Sequence, residues 1–280
     1  MQKTFTEFST NAILKLGDEE LLNPYRTPKK PELYTFVRTQ GFSAKIVVDS
    51  VPYTIAPNSI ITLTTVQYFQ YVSGHDLVVY QFNREFYCIK DHDHEVSCAG
   101  LLFFGNVHMP IIELNAKEHQ KLNMLNDIFL EEFETKDTIQ AEMLRMLMAR
   151  FIIIATRLLK AKEGFTETTS NTKIDLLREF NMLVEAHFKT EHSVSFYAEK
   201  LFKSPKTLSN TFAKLNTSPL QIIHERIVLE AKRLLIYTDK TAKEIAYDLG
   251  FEDASHLSRL FKKQTSFSPT DFKKINIKAS

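Results

Sequence analysis

Cysteine, glycine and long apolar runs are all scarce in this sequence. Cys88 and Cys98 are its only cysteines, so a disulfide framework like that of small secreted proteins is not expected. Seven glycines and nine prolines are few for 280 residues, which argues against glycine-rich nucleotide folds and low-complexity tails. The longest apolar run, Phe151 to Ala155, is far shorter than the roughly 20 residues that span a bilayer. Because Met1 to Thr10 is polar and lacks the apolar core of an export signal, we expect a cytoplasmic protein without a membrane partner.

Catalytic signatures are absent too. The sequence contains no glycine-rich phosphate loop, no Gly-x-Ser-x-Gly motif and no His-Glu-x-x-His motif. We therefore expect neither an enzymatic activity nor a cofactor. A cupin-type metalloenzyme with a helical appendage stays open as the alternative, and bound metal together with turnover would favour it.

One short segment collects residue types that bind metals. Cys88, His92, His94 and Cys98 follow a symmetric spacing, and all four side chains serve as zinc ligands in proteins. The spacing matches no common zinc finger, so the favoured interpretation is a β-hairpin with the histidines in its polar turn. A zinc site and a redox-sensitive cysteine pair stay open as alternatives, and no metal site is predicted.

A formal net charge of +1 conceals a division along the chain. Content of 44 % hydrophobic and 25 % charged residues is ordinary for a folded protein, and the length favours two domains. Residues 1–170 carry 17 basic and 21 acidic side chains, a net of −4, whereas residues 171–280 carry 18 and 13, a net of +5. This asymmetry predicts a polyanion-binding module in the C-terminal part of the chain.

Short β-branched and aromatic runs separated by turn residues occupy residues 33–114. Such spacing is typical of a β-sandwich or a small barrel, which often encloses a small-molecule cavity. Two amphipathic helices follow, at Lys117–Thr135 and Asp137–Lys162, and they pack either on the barrel or against a second copy of the chain. The predicted apolar stripe of the second helix is Ile139, Met143, Leu147, Ile154 and Leu158. The predicted strands are Tyr34–Val37, Lys45–Val48, Ser59–Thr64, Val66–Val72, Leu77–Phe82 and Leu101–Phe104.

A polar, threonine-rich segment separates these elements from a purely helical region. We expect domains at 1–162 and 173–280, with a linker at 163–172. The predicted helices of the second domain are Ile174–Phe188, Ser193–Leu201, Pro205–Leu215, Pro219–Tyr237, Thr241–Leu249, Ala254–Gln264 and Pro269–Lys274.

The helical region contains an internal repeat. The offset between its two copies grows from 48 to 49 to 50 residues, which places single-residue insertions in the turns. A short helix, a tight turn and a second short helix form each copy, which is the helix-turn-helix arrangement. The recurring motifs are Ala198-x-x-Leu201 with Ala246-x-x-Leu249, Leu208-Ser209-x-x-Phe212 with Leu257-Ser258-x-x-Phe261, and Ser218-Pro219 with Ser268-Pro269.

Polar residues between the repeated apolar anchors are expected to point outward. An outward Asn210 suits pairing with adenine in the major groove, and an outward Arg259 suits guanine. Nearby lysines can neutralise phosphates. Since both copies place such residues at matched positions, the pattern favours DNA reading over an ordinary solvated helix face.

The segment Gly250 to Lys263, followed by Ser268-Pro269 and Phe272, resembles the signature of AraC-family transcription regulators. The resemblance covers Ile174 to Lys274, and the front of the chain is similar to the family's effector domain in strand pattern and helix order only. It implies an α+β fold, with an N-terminal cupin-like β-barrel and a dimerisation helix pair. An all-α domain with two helix-turn-helix units joined by a long helix would follow.

The resemblance also implies a sequence-specific DNA-binding transcription regulator, controlled by a signal that acts on the N-terminal domain. Its implied partners are double-stranded DNA, RNA polymerase, a small-molecule effector and a second copy bound through residues 117–162. Family members often carry glycine before Ser-Pro, where this chain has Asn216-Thr217 and Ser266-Phe267; asparagine tolerates a left-handed conformation better than serine. The implied base-reading residues are Lys206, Ser209, Asn210, Ser255, His256 and Arg259, and the implied phosphate contacts are Ser204, Lys214, Lys262 and Lys263.

Effector contacts are assigned to Tyr34, Arg38 and Tyr80 in the barrel. The aromatic side chains can line an apolar ligand cavity, although ordinary core packing explains them equally well. Together with Lys45 and Arg84, Arg38 offers a positive charge to an anionic effector.

Overall fold

The computed structural model describes residues 2–88, 101–103, 109–162 and 171–277. It divides into two compact units, Met1–Thr168 and Thr169–Ser280, which are described separately. The predicted linker lies largely outside the described residues, so the exact domain limits stay a prediction. Within the described ranges, no helix is both long enough and apolar enough to cross a membrane.

Two antiparallel sheets form the first unit. The larger sheet has the strand order β1-β2-β8-β3-β6-β9, and the smaller has the order β5-β4-β7. A 3₁₀ helix at Glu19–Tyr25 connects β2 to β3. The strands are β1 Lys3–Glu7, β2 Ala12–Gly17, β3 Tyr34–Thr39, β4 Ala44–Val48, β5 Val51–Ile55, β6 Ser59–Leu63, β7 Phe69–Ser73, β8 Leu77–Phe82 and β9 Ile111–Glu113.

The central strands of the larger sheet, β8, β3 and β6, are buried on both faces. Val37, Ile61 and Val79 point toward the smaller sheet and share one apolar core with its residues, as expected of a cupin-like pair of sheets. The alternate residues of β3, including Phe36 and Arg38, point toward the two helices that follow the sheets. Because successive side chains of a strand point to opposite faces, the residues of β3 alternate between the core between the two sheets and the layer beneath the helices.

Four strands were not anticipated, namely β1, β2, β5 and β9, and one predicted strand is wrong. Leu101, Leu102 and Phe103 form a buried turn, and the carbonyl of Leu102 accepts a hydrogen bond from the Thr62 hydroxyl. An apolar run alone does not distinguish a strand from a buried turn, which explains the error. The predicted strand at Val66–Val72 begins only at Phe69.

Two helices, α1 Ala116–Glu134 and α2 Gln140–Lys162, cover the outer face of the larger sheet. A capping box between Asn115 and Glu118 starts α1. The predicted stripe of α2 is wrong in part, since Ile139 and Met143 are 63 % and 42 % exposed. The face of α2 that is buried consists of Ala141, Leu144, Leu147, Met148, Phe151, Ile152, Ala155, Thr156 and Leu159.

The second unit is entirely helical in the part that the structure describes. The long helix α6 contacts α3, α5, α7, α8 and α9, so both halves of the repeat pack on one central element. All predicted helices of this unit are present, with ends that differ by a few residues. The helices are α3 Asn171–His187, α4 Val194–Lys200, α5 Pro205–Ala213, α6 Pro219–Tyr237, α7 Ala242–Asp248, α8 Ala254–Thr265 and α9 Pro269–Ile277.

A buried ion cluster fixes α3 to α6. Arg226 donates to both carboxylate oxygens of Glu185 at 2.6 and 2.9 Å, and to Glu230 at 3.0 Å. Burial alone would raise the pKa of Glu230, but Arg226 and Arg233 hold it below its usual range. The Arg226 guanidinium also lies 3.9 Å from the centre of the Phe188 ring. Each buried charge therefore has an opposite charge beside it.

Candidate nucleic-acid interface

The two helix-turn-helix units, α4 with α5 and α7 with α8, have the same construction. In the first unit, the hydroxyls of Ser193 and Ser204 accept backbone N–H groups at the starts of α4 and α5. In the second unit, a capping box between Thr241 and Glu244 starts α7, and the carboxylate of Asp253 caps α8. Each of the four helices therefore begins at a side chain that caps its first turn.

Both units make their tight turn through a left-handed residue. Gly250 has φ +75° after α7, and Phe202 has φ 53° at the matching position after α4. At Gly250, an added Cβ would lie 2.3 Å from the carbonyl oxygen of Lys189, so only glycine fits. Phe202 instead projects into solvent with 93 % of its surface exposed. The turn is thus conserved between the units although its residue is not.

The turns that follow the second helices are also left-handed. Asn216 has φ 55° and Ser266 has φ 67°, in the segments before Ser-Pro where the family resemblance implies glycine. Serine was the less expected of the two in this conformation. Ser218 caps α6 with Pro219 at its first position, and the Ser268 hydroxyl accepts the N–H of Asp271 in α9. Both departures from the family pattern therefore keep the local geometry of the module.

Paired apolar anchors orient the second helix of each unit. Leu208 and Phe212 are buried on α5, and Leu257 and Phe261 are buried on α8. The opposite faces of α5 and α8 must consequently point to solvent. Every residue assigned to base reading is exposed there: Lys206, Ser209, Asn210, Ser255, His256 and Arg259.

Two of the assigned hydroxyl groups already have partners. Ser204 accepts the N–H of Thr207 as the cap of α5, and Ser255 donates to the Asp253 carboxylate at 2.8 Å. The remaining phosphate candidates, Lys214, Lys262 and Lys263, are exposed. Asn210 and Arg259 are exposed on the solvent-facing sides of α5 and α8, at matched positions of the repeat.

Asp253 adds a carboxylate to this surface that is not among the residues assigned to DNA contacts. The backbone N–H and the hydroxyl of Ser255 hold the pKa of Asp253 below its usual range, and His256 and Arg259 lower it further. Its position directly before Ala254, the first residue of α8, is the signal that would have placed it here. A fixed negative charge beside Arg259 repels phosphate and limits which groups can approach.

The three residues assigned to an effector lie on one face of the larger sheet. Tyr34, Arg38 and Tyr80 all point toward α1 and α2, not into the space between the two sheets. Tyr80 donates to Asn126 of α1 at 2.8 Å, and Arg38 donates to Asn123 at 2.7 Å. Tyr34 packs at the other end of β3 against aromatic rings, so it does not join Arg38 in one contact site.

The cysteine and histidine cluster lies almost entirely outside the described residues. Only Cys88 is described, and its thiol is free. The hairpin, zinc and redox interpretations of His92, His94 and Cys98 therefore stay untested. Among the residues that the structure does describe, no three His, Cys, Asp or Glu side chains form a group that could hold a metal ion.

Known proteins resemble the C-terminal part of the chain. Residues 197–275 match a family described as a helix-turn-helix domain. The HTH-type transcriptional activator RhaS of Salmonella arizonae is 26 % identical over 130 residues, which are 46 % of this chain and 45 % of RhaS. RhaS of Salmonella schwarzengrund is 27 % identical over the same lengths. The chain thus spans somewhat less than half the length of the curated relatives that it matches.

Solved structures give two further resemblances. ToxT from Vibrio cholerae O395 is 15 % identical, with 93 % of this chain and 96 % of ToxT covered and a TM-score of 0.41. The C-terminal domain of the response regulator yesN from Fusobacterium nucleatum is 27 % identical, with 34 % of this chain and 93 % of that chain covered and a TM-score of 0.32. The matched helix-turn-helix family and the similarity to RhaS agree with the resemblance of this part of the chain to AraC-family transcription regulators.

Proposed function

We propose that this protein is a sequence-specific DNA-binding transcription regulator. The observation that carries the proposal is the matched pair of helices α5 and α8, each anchored by buried Leu and Phe and each presenting polar side chains to solvent. A surface made of solvated helices alone does not explain why Asn210 and Arg259 occupy matched repeat positions. The protein acts on DNA in the cytoplasm and is not an enzyme.

Base reading follows from the chemistry of the exposed side chains. Helices α5 and α8 would enter successive major grooves about one helical turn apart on one face of the DNA. Asn210 would pair with adenine and Arg259 with guanine, since both side chains make two hydrogen bonds to those base edges. Lys214, Lys262 and Lys263 would contact phosphates, which fixes position without reading sequence.

Substitution of Arg259 tests this division of roles. We expect Arg259→Ala to cost roughly 1–3 kcal/mol of binding free energy and to relax the preference at one base position. Lys262→Ala is the matched control on the same helix. It should weaken binding to all DNA sequences about equally and reduce the salt dependence of binding. Fluorescence anisotropy with cognate and scrambled duplexes measures both. Equal binding of the two duplexes by the wild-type protein would refute the proposal.

Dimerisation through α1 and α2 is the second part of the proposal. The outer sides of the two helices border an open groove of about 1020 Å³. Three of its apolar lining side chains are exposed, with Met146 at 68 %, Met124 at 56 % and Ile128 at 47 %. An apolar patch of this kind is typical of a surface that another chain covers. We assign it to a second copy of the protein, held by the same patch on both subunits.

Light scattering on the full-length chain tests the dimer. The double variant Met124→Glu with Met146→Glu should shift a dimeric wild-type mass to that of a monomer, because charge is introduced at the buried contact. Phe8→Glu is the control, since Phe8 is 94 % exposed and does not border the groove. A monomeric wild-type protein, or a double variant that stays dimeric, would contradict the assignment.

Regulation would act through these elements. A signal received by the N-terminal unit would change the balance between two arrangements of the dimer, and so change which promoters are bound. We also propose RNA polymerase as the partner through which bound protein changes transcription, and a small molecule as the signal.

A further inference from the structure

Arg38 lies at a position where a charged side chain is costly. It is 0 % exposed, on the helix-facing side of the larger sheet, between Ile60 of β6 and Val78 of β8. Asn123 of α1 accepts a hydrogen bond from its Nη2 at 2.7 Å. Its Nε and Nη1 have no hydrogen-bond partner among the residues that the structure describes. A buried guanidinium normally satisfies its donors, so these two nitrogens point to a missing acceptor.

No carboxylate balances this charge within the described ranges. Asp76 and Asp127 are the acidic groups nearest to Arg38, but both are exposed and neither forms an ion pair with it. Burial lowers the pKa of the Arg38 guanidinium, which nevertheless remains charged at neutral pH. Arg226 in the second unit shows how a buried arginine is usually balanced, since it is 7 % exposed and contacts both oxygens of Glu185. Arg38 is buried more completely than Arg226 and lacks such a counter-ion among the described residues.

The surroundings of Arg38 combine one polar side with apolar walls. His119, Asn123 and Asn126 follow helical spacing on the side of α1 that faces the sheet, and Nδ1 of His119 is buried without a partner in the described structure. His119 is only half-buried as a residue, so it separates the site from solvent. Aromatic rings complete the enclosure beneath the helices: Phe36, Tyr80, Phe129 and Phe151.

We propose that Arg38 binds the carboxylate of a small monovalent organic acid between the larger sheet and α1. One negative charge balances one buried guanidinium, whereas a phosphate dianion would leave an excess buried charge. The aromatic walls favour a ligand with a short apolar body. Nε and Nη1 of Arg38 would donate to the carboxylate, and His119 would close the site.

Such a ligand would link the sheet to a helix of the proposed dimer interface. The carboxylate would contact Arg38 on β3 and lie under α1, whose opposite side carries Met124 and Ile128. This inference rests on the proposed function only in naming the chemical class of its signal. Binding of the acid can be measured without DNA, so failure here leaves DNA reading untouched.

Calorimetric titration of the full-length protein with potassium butyrate tests the site. We expect saturable binding, with no comparable heat from butyramide or from potassium chloride at the same concentration. In Arg38→Met the affinity should fall at least tenfold, because the charge-assisted hydrogen bonds are lost. Arg145→Met is the matched control, since Arg145 forms a half-buried ion pair with Glu7 and has no contact with Arg38 in the described structure, so butyrate binding should be unchanged.

A second variant covers the case in which Arg38→Met does not fold. His119→Leu changes a half-buried residue and should weaken butyrate binding several-fold while the protein stays folded by circular dichroism. Absence of saturable butyrate binding to the wild-type protein would overturn the proposal. Equal affinity in Arg38→Met, or an equal response to chloride, would overturn it as well.

Discussion

The first and second helix-turn-helix units reach the same turn with different residues. Gly250 is surrounded closely, with the Lys189 carbonyl occupying the space of a side chain, whereas Phe202 faces open solvent. Both turn residues, Gly250 and Phe202, have positive φ. The left-handed turn is therefore set by the way the two helices cross, and not by the identity of the residue. The space that neighbouring atoms leave beside the turn residue then determines whether a residue larger than glycine fits. A missing glycine therefore does not argue against the motif.

The largest expected effect is a loss of stability when the glycine of the second turn is replaced. Gly250→Ala should reduce the free energy of unfolding by roughly 2–4 kcal/mol, because it combines a left-handed backbone with a backbone clash. Urea unfolding followed by circular dichroism measures the change. Gly41→Ala is the control, since its added Cβ meets only Asp76 at 3.8 Å. Equal stability of the two alanine variants would contradict the claim that the space around Gly250 admits only glycine.

Replacing the unusual residue of the first turn should have a smaller effect of opposite sign. Phe202→Gly is expected to stabilise the chain by about 1 kcal/mol, because it relieves a left-handed aromatic residue whose side chain is almost fully exposed. Asn216→Gly is the comparison, and it should change stability less since asparagine tolerates this conformation. Thermal unfolding of the two variants side by side measures the difference. A clear loss of stability in Phe202→Gly would show that the ring makes a contact in the intact protein.

The smallest expected difference depends on pH. Serines cap the helices of the first unit. In the second unit Asp253 caps α8 and Glu244 completes the capping box of α7, and hydrogen bonding holds the pKa of both carboxyls below the usual range. Their stabilising contribution is complete above the usual pKa near 4 and is lost as pH falls through the lowered pKa of the folded state. Amide exchange should thus show the first turn of α8 losing protection on acidification before that of α5. Parallel loss in both helices would contradict this assignment.

The helical unit was largely predictable from sequence, because its signals are local. Caps, prolines at first positions and i,i+4 anchors act within a few residues, and the repeat supplied each of them twice. Ser266 was the least expected turn residue, since its conformation is set by the helices on either side.

The N-terminal unit was less predictable, because its elements are buried on more than one side. Strand β3 is buried on both faces, so its sequence does not alternate between polar and apolar residues in a way that shows which residues face the helices. That is why Arg38 was assigned to a barrel cavity and lies instead under α1. Helix α2 has apolar residues on two sides, and the predicted stripe followed the partly exposed one. In β3 and in α2, contacts with residues distant in sequence determine which side chains face which part of the core.

Selection of bound sites from random-sequence DNA tests the central claim most directly. The wild-type protein should enrich sequences with two groups of specified bases about 10 base pairs apart in each half-site, one for α5 and one for α8. Asn210→Ala should relax one group and Arg259→Ala the other, with the remaining group unchanged. Enrichment of a single group, or loss of the same group in both variants, would contradict reading by two matched helices.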